Sequence, residues 1–430
     1  MEDLRILVGR HYGWDAKHST SMILDSILPI LRNKFRVKII WLFYMPERMH
    51  LLDPGNDEIE IMDIHDFDNA VEVVKKAKPD LVFANEFPSL MDLALDAAAK
   101  FHKIPVVTKV YATDSFKISK KQFFTSFLPL FFQSSMPFEQ DHKKKFMRRG
   151  RFFLFKYLFL IKTLKAIGMN LLKIMNFIFI TLKWHISYET PYLDSRFAST
   201  LHYLESEILI ERMIKAGYPQ SSLVVTGNPM YDEIFKKYLN LQPNFNPSEK
   251  IRILFTPIQY YEGGLWTKKE RDETIKEIVK NISKHFDEFS LVVKLHPSSQ
   301  VYSDYEKLIH EVNSSIPIYQ KGIIMDYLDN FDVVVSFAPL TSASIYPLIL
   351  HKPLVLCNFF DFKYNNKIEE GVAWECKKPN ELIEIIKHAL LLNSENRKKI
   401  DEYLEKILYK TDGCASQRLA DAIVKLKVKD

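Results

Sequence analysis

The stretch FSLVVKLHPSSQ, residues 289–300, runs apolar up to Lys294 and then turns through His296, Pro297, Ser298 and Ser299. A short run rich in Val and Leu, followed by a proline and hydroxyls, reads as a buried strand ending in a loop. A histidine there is either satisfied within a turn or faces something anionic. The neighbouring runs are of the same kind: IRILFTP (251–257), IPIYQ (316–320), DVVVSFA (332–338) and PLVLCNF (353–359), with helical stretches between them. Strands alternating with helices predict a parallel sheet assembled from βαβ units.

The same rhythm occupies the first part of the chain. RILVG (5–9), VKIIWLFY (37–44), DLVFAN (80–85), IPVVTKVY (104–111), FASTLHYLE (197–205) and SLVVTGNP (222–229) read as strands, while MILDSILPIL and SLMDLALDAAAKF carry helical spacing. NLQPNFNPSEK (240–250) reads as a linker, with two prolines and several asparagines. The expected fold class is α/β, with two Rossmann-like doubly wound domains facing a central cleft. The first is expected to cover 1–240 and the second 241–400, with helices over 401–430 packing back toward the first. In open α/β sheets ligands bind beyond the carboxyl ends of the strands. That rule selects the loops GRHYGWD, ANEFPS and YATDS in the first half, and TPIQYYEGG, LHPSS and SFAPLTSAS in the second.

Composition narrows the class. Hydrophobic residues at 47% and charged residues at 26% describe a globular chain. A net charge of +5 spread over 430 residues does not mark a nucleic-acid binder. Three cysteines, Cys357, Cys376 and Cys414, form no CxxC and no close pair in sequence, which points to a reducing compartment. MEDLRILVGR starts acidic and enters a strand at once, unlike a signal peptide, so a cytoplasmic location is expected.

Residues 117–185 break the α/β rhythm. HKKKFMRRGR (142–151), with Lys143, Lys144, Lys145, Arg148 and Arg149, precedes FFLFKYLFLIKTLKAIGMNLLKIMNFIFITLKW. No uncharged run approaches the roughly 18 residues of a transmembrane helix. On one continuous helical wheel at about 100° per residue, Lys162, Lys165, Lys173, Asn176 and Lys183 share a sector of roughly 80°. Phe, Leu and Ile fill the rest, the composition of a helix lying in a membrane interface beside anionic headgroups. The alternatives are a core helix with snorkelling lysines or a dimer interface. Nucleic-acid binding is not expected, because the aromatics lie within an aliphatic run.

No GxGxxG, GxxxxGK[ST] or HExxH occurs, so dinucleotide, P-loop and zincin chemistry are unsupported. The second half instead offers hydroxyl-rich strand ends, including Thr256, Ser336, Thr341, Ser342 and Ser344. SFAPLTSAS opening the helix SASIYPLILH would combine hydroxyls with backbone N–H groups into an anion site, or would simply be a Ser/Thr cap.

VVTGNPMYDEI (224–234), VVKLHPSS (292–299), VVVSFAPLTSASIYPLILHKPLVLC (333–357) and TDGCASQRLADAI (411–423) resemble the GT-B nucleotide-sugar superfamily. Within it they look most like CDP-glycerol glycerophosphotransferases, capsule polysaccharide transferases and sialyltransferases with an HP motif; UDP-N-acetylglucosamine 2-epimerases are further relatives. The resemblance covers the C-terminal half well and the N-terminal half in strand order only. It implies that His296 and Pro297, with Ser298, form the HP motif on the donor phosphate. It implies that Thr341 and Ser342 are the paired hydroxyls on that phosphate, that Gly227 and Asn228 form the turn between domains, and that Thr256 lies in the first donor loop. Where such relatives carry Asp or Glu six residues before Lys352–Pro353, this chain has Tyr346, which cannot grip a ribose diol as a carboxylate does.

An inverting transfer needs a base for the acceptor hydroxyl. Glu86 is the leading candidate, followed by Asp114, then His18, His11 and Asp15. The resemblance implies a metal-independent glycosyltransferase with no cofactor, peripherally attached to the inner face of the cell membrane. Its donor would be a nucleotide sugar or a CDP- or CMP-linked unit, and its acceptor lipid-linked or polymeric. A glycerophosphotransferase, a 2-epimerase and a non-catalytic membrane scaffold stand as alternatives.

Overall fold

The computed structural model describes residues 1–10, 19–44, 58–84, 90–110, 142–187, 199–215, 217–238, 250–257, 261, 266–296, 301–322, 324–337, 344–359 and 366–428. Its described residues fall into two compact units. Unit 1 takes those of Met1–Ile118, Met147–Lys236 and Lys406–Asp430, and unit 2 those of Ser119–Phe146 and Lys237–Glu405.

Unit 1 holds seven strands: β1 (Glu2–Arg10), β2 (Phe35–Phe43), β3 (Ile59–Asp63), β4 (Leu81–Ala84), β5 (Val106–Val110), β6 (Leu201–Leu204) and β7 (Leu223–Val225). They pair in parallel in the order β3-β2-β1-β4-β5-β6-β7. The connecting helices are α1 (Ser19–Arg32), α2 (Ala70–Ala77), α3 (Leu90–Phe101), α4 (His142–Ala166), α5 (Leu171–Ser187), α6 (Ile208–Lys215) and α7 (Asp232–Tyr238).

Unit 2 repeats the plan with β8 (Ile251–Thr256), β9 (Phe289–Lys294), β10 (Ile318–Tyr319), β11 (Val333–Ser336), β12 (Leu354–Cys357) and β13 (Trp374–Cys376). These run parallel in the order β10-β9-β8-β11-β12-β13. Its helices are α8 (Lys268–Ser283), α9 (Tyr302–His310), α10 (Met325–Leu328), α11 (Ile345–Ile349), α12 (Asn366–Glu369) and α13 (Leu382–Ala389). Helix α14 (Ser394–Leu408) leads back to unit 1, which α15 (Ala415–Val428) completes.

Parallel strands covered on both faces should read as unbroken apolar runs, and β4 (LVFA) and β11 (VVVS) are buried at every residue. Successive side chains point to opposite faces. Leu4, Ile6 and Val8 therefore pack with Ile23, Leu24 and Ile27 of α1 and with Leu419 and Ile423 of α15. Leu7 and Val82 face the other way, onto α2, α3, α4 and α5. The edge strands β3 and β13 escape sequence reading because they are short; IEIMD has two acidic residues in five and WEC spans three residues.

Two expectations need correcting. The basic, apolar stretch is not one helix carrying one lysine stripe. Gly168 at φ +82 ends α4 in a left-handed cap, with Gly168 N donating to Lys165 O and Met169 N to Leu164 O. Asn170 Oδ1 then accepts from Lys173 N and starts α5, which resets the helical phase. Nor do the helices only skim a surface, since Phe159, Leu160, Leu164, Ile174 and Phe177 are buried in the core of unit 1. The cysteines, far apart in sequence, also include neighbours: Cys357 and Cys376 face each other in register on β12 and β13, both buried and reduced.

Candidate functional site

In a doubly wound sheet the ligand crevice opens where strand order reverses. In unit 2 this is the β8/β11 boundary, and the residues closing those strands are Thr256 and Ser336, partners in register. Both are buried. Ser336 Oγ donates to Thr256 O at 3.4 Å, and Thr256 Oγ1 to Val335 O at 3.4 Å.

One strand over, β9 ends at Lys294, buried to 5% exposure. Its Nζ donates to Leu295 O at 2.8 Å and to Gln320 O at 2.9 Å, and lies 5.6 Å from the Tyr327 ring centre. Burial lowers its pKa to about 8, with the Asp326 charge opposing the shift. Gln320 Nε2 donates in turn to His296 O at 3.2 Å, so the ammonium and this amide tie the exposed His296 to the end of β10.

Asp326 lies in the first turn of α10, just past Gly322, whose φ of +75 suits glycine and whose added Cβ would meet Asp326 Oδ2 at 2.8 Å. The same carboxylate acts on Tyr346 of α11, whose phenol is pushed up to about 12, first by burial and then by Asp326. Ser344 is buried at the start of α11, a helix of five residues. Pro297, Ser298, Thr341 and Ser342 lie outside the described residues.

In unit 1 the order reverses between β1 and β4. Beside that point Tyr44, which follows β2, donates its phenol to Asp92 Oδ1 at 2.6 Å. Asp92 sits in the first turn of α3, and Gly9 of β1 passes so close that no side chain would fit there. Burial, and then Asp92, push the Tyr44 phenol and the Asp96 carboxyl well up. Lys156 of α4 is lowered by burial, with Asp92 opposing. Glu86, Asp114, His18, His11 and Asp15 lie outside the described residues.

Further along the same edge, Lys109 of β5 pairs with Glu205 beyond β6, and Glu205 Oε1 also accepts from Asn228 Nδ2 at 2.8 Å. Asn228 caps the short turn Pro229–Tyr231 by accepting from Met230 N at 3.1 Å. Gly227, at φ +81, lies against Leu408 O and Arg418. Gly227 and Asn228 thus belong to unit 1, and Thr256, Ser336 and His296 to unit 2.

Of the basic residues expected at a membrane, Lys165 and Lys173 are exposed and Lys162 pairs with Asp68 at 2.5 Å. The side chains of Lys143, Lys144, Lys145, Arg148, Arg149 and Lys183 lie outside the described residues. Asp66 and Asp68 form an Asp-x-Asp triplet, with Asp68 paired to Lys162 on the surface. Among the described residues no acidic, His or Cys cluster could hold a metal ion.

Sequence reading passed over Asp92, Glu205, Lys294 and Asp326. Lys294 had a signal, a lysine ending an apolar strand that is central in its sheet; Asp326 had none, because only the fold brings it to Tyr346.

Comparison with solved structures finds the same architecture in several enzymes that act on nucleotide-linked substrates. A UDP-GlcNAc 2-epimerase from Neisseria meningitidis bound to UDP-GlcNAc matches with TM-score 0.53 and 15% identity, covering 98% of this chain and 100% of that one. A UDP-GlcNAc 2-epimerase from Methanocaldococcus jannaschii matches with TM-score 0.53 and 14% identity over 100% of both chains. The wall teichoic acid polymerase TagF, soaked with CDPG, matches with TM-score 0.53 and 13% identity over 99% of this chain and 90% of that one. The fold is GT-B. No protein-family model and no curated protein matches the chain. At such identities the likeness carries the architecture alone.

Proposed function

We propose that the chain is a membrane-associated glycosyltransferase that moves a sugar from a nucleotide-activated donor to a lipid-linked or polymeric cell-surface acceptor. The observation that carries this reading is the set of groups at the carboxyl ends of β9, β8 and β11: His296 on a loop tied down by Lys294, beside the hydroxyls of Thr256 and Ser336. A leaving nucleotide phosphate needs cationic and hydrogen-bonding groups placed before the reaction. The Lys294 ammonium supplies positive charge, His296 a ring N–H donor, and Thr341 and Ser342 follow β11 in the chain to add hydroxyls. Asp326, beside Tyr346, offers a carboxylate for ribose that position 346 lacks. On the acceptor side, Glu86 follows β4 at the reversal of unit 1 and is the proposed base, with Asp114 and His18 behind it. The reaction is proposed to need no metal.

Transfer of glycerol phosphate from a CDP-linked donor is the second reading, favoured by the likeness to a polymerase soaked with CDPG. The test is a thermal-shift titration of the full chain with CMP, CDP, UMP, UDP and GDP, repeated with His296→Ala. A ligand at about a hundred times its Kd stabilises by roughly 2.7 kcal/mol. Selective stabilisation by one nucleotide, lost in the variant, is expected. No stabilisation by any of them overturns the donor site in favour of a scaffold. Conversion of UDP-GlcNAc without any acceptor makes the chain an isomerase.

A further inference from the structure

The hairpin of α4 and α5 has two apolar faces, and the core of unit 1 covers one of them. On α5 the residues Ile174, Phe177 and Thr181 are buried, while Leu171, Leu172, Met175 and Phe179 on the opposite side are exposed by 63%, 79%, 61% and 68%. On α4 the outward positions are Leu154 and Leu158, 57% and 46% exposed, continued one and two turns on by Lys162 and Lys165. These six are nearly half of the thirteen large hydrophobic residues found exposed among the described residues, gathered within 26 positions. An apolar patch of this kind on a soluble domain marks a place where something docks.

We propose that the outer face of the α4–α5 hairpin docks on an anionic lipid bilayer, with Leu171, Leu172, Met175 and Phe179 entering the interface. Charge selects this occupant. From residue 142 to residue 187 the sequence has eleven Lys and Arg and no Asp or Glu, beginning with HKKKFMRRGR at the start of α4. A second copy of the chain on this face would set the exposed Lys165 and Lys173 against their own kind, whereas anionic headgroups complement them. Among the described residues no helix is long and apolar enough to cross a membrane, so the contact is a lateral one. Burial of the inner face in the core of unit 1 fixes the hairpin rigidly, so the outer face meets the lipid pre-formed. The surface differs from a single amphipathic helix: the turn at 167–170 divides it between two helices, with Lys165 and Lys173 close to that turn.

The proposal deepens the membrane association proposed above and makes no use of the nucleotide site. Its test is co-sedimentation of the full chain with vesicles of phosphatidylcholine containing about one third phosphatidylglycerol. Binding is expected there, at least about tenfold weaker on phosphatidylcholine alone and weakened by salt. The double variant Leu172→Ser with Phe179→Ser removes only exposed side chains, so its melting temperature and nucleotide-induced shift should match the parent. Its vesicle binding should fall about tenfold or more. In a second measurement, Leu172→Trp should gain fluorescence that brominated acyl chains quench. No co-sedimentation, or a double variant that binds as the parent does, overturns the proposal. So does a parent dimer that the double variant dissociates, which makes the face a homotypic interface. Loss of nucleotide binding with lipid binding intact strikes the donor-site reading and leaves this one standing.

Discussion

Replacing Lys294 with methionine tests the electrostatics of the proposed donor site directly. The folded protein lowers this ammonium's pKa from 10.5 to about 8. A base whose pKa is depressed on folding binds fewer protons in the native than in the unfolded state throughout that window. Its contribution to stability therefore rises with pH, from full penalty below pH 8 to none above 10.5. The whole shift corresponds to about 3 kcal/mol, of which about 2.5 falls between pH 7 and 10. Methionine keeps the length and apolar stem but does not titrate. At pH 7 two effects of the substitution oppose. Leu295 O and Gln320 O lose a donor, at about 1–3 kcal/mol each, while the desolvated charge is relieved. The net change at neutral pH is thus small, and the diagnostic lies in the slope. Unfolding of parent and Lys294→Met followed by urea at steps from pH 7 to 10 should show the parent gaining about 2.5 kcal/mol on the variant. Parallel curves would refute the reasoning, because they would mean the ammonium is solvated and does not hold the His296 loop from within.

Gly227→Ala should destabilise the chain by about 2 kcal/mol in chemical denaturation, since φ is +81 and the added carbon would meet Leu408 O at 3.0 Å. His202 accepts from Ser199 N at 3.2 Å, and burial lowers its pKa to about 3. Its imidazole should stay neutral by NMR down to pH 4. Because the unfolded imidazole protonates first, stability should fall by about 1.4 kcal/mol per unit as pH drops below 6.5, and His202→Gln should abolish that part of the slope. Asp332→Ala should cost about 3 kcal/mol in thermal or urea unfolding, because the buried carboxylate binds Arg252 N, Nε and Nη2 at 2.8, 3.1 and 3.0 Å.

The strands that sequence reading finds are those with an unbroken apolar run, such as VVVS and LVFA, because a central parallel strand is covered on both faces and cannot alternate. Strands β3 and β13 are invisible for the complementary reason: they stand at sheet edges, where Glu60 and Glu375 are admissible. The site was legible to the extent that it follows strand ends. Thr256 and Ser336 close β8 and β11 and His296 follows β9, where position in the sequence puts them. Lys294–Gln320 and Asp326–Tyr346 are meetings between elements apart in sequence, and a one-dimensional reading has no access to which element lies beside which. The continuous helical wheel over 152–184 failed on one residue. Gly168 is a tolerable glycine in a wheel, but at φ +82 it restarts the phase of everything after it.

The path of the chain fixes the order in which the molecule can be finished. Unit 1 is interrupted after Lys236 and resumes at Lys406, so unit 2 is spliced into it. Leu419, Ala420 and Ile423 close the same cluster that Leu4, Ile6 and Val8 begin, and Asp232 caps α15 by accepting from Ala415 N and Ser416 N. During synthesis the first sheet must wait, one flank bare, while unit 2 is translated. A chain stopped at Glu405 would leave α1 uncovered and the Asp232 carboxylate without the helix it caps, so the first sheet's hydrophobic flank stays open until residues 415–423 are made.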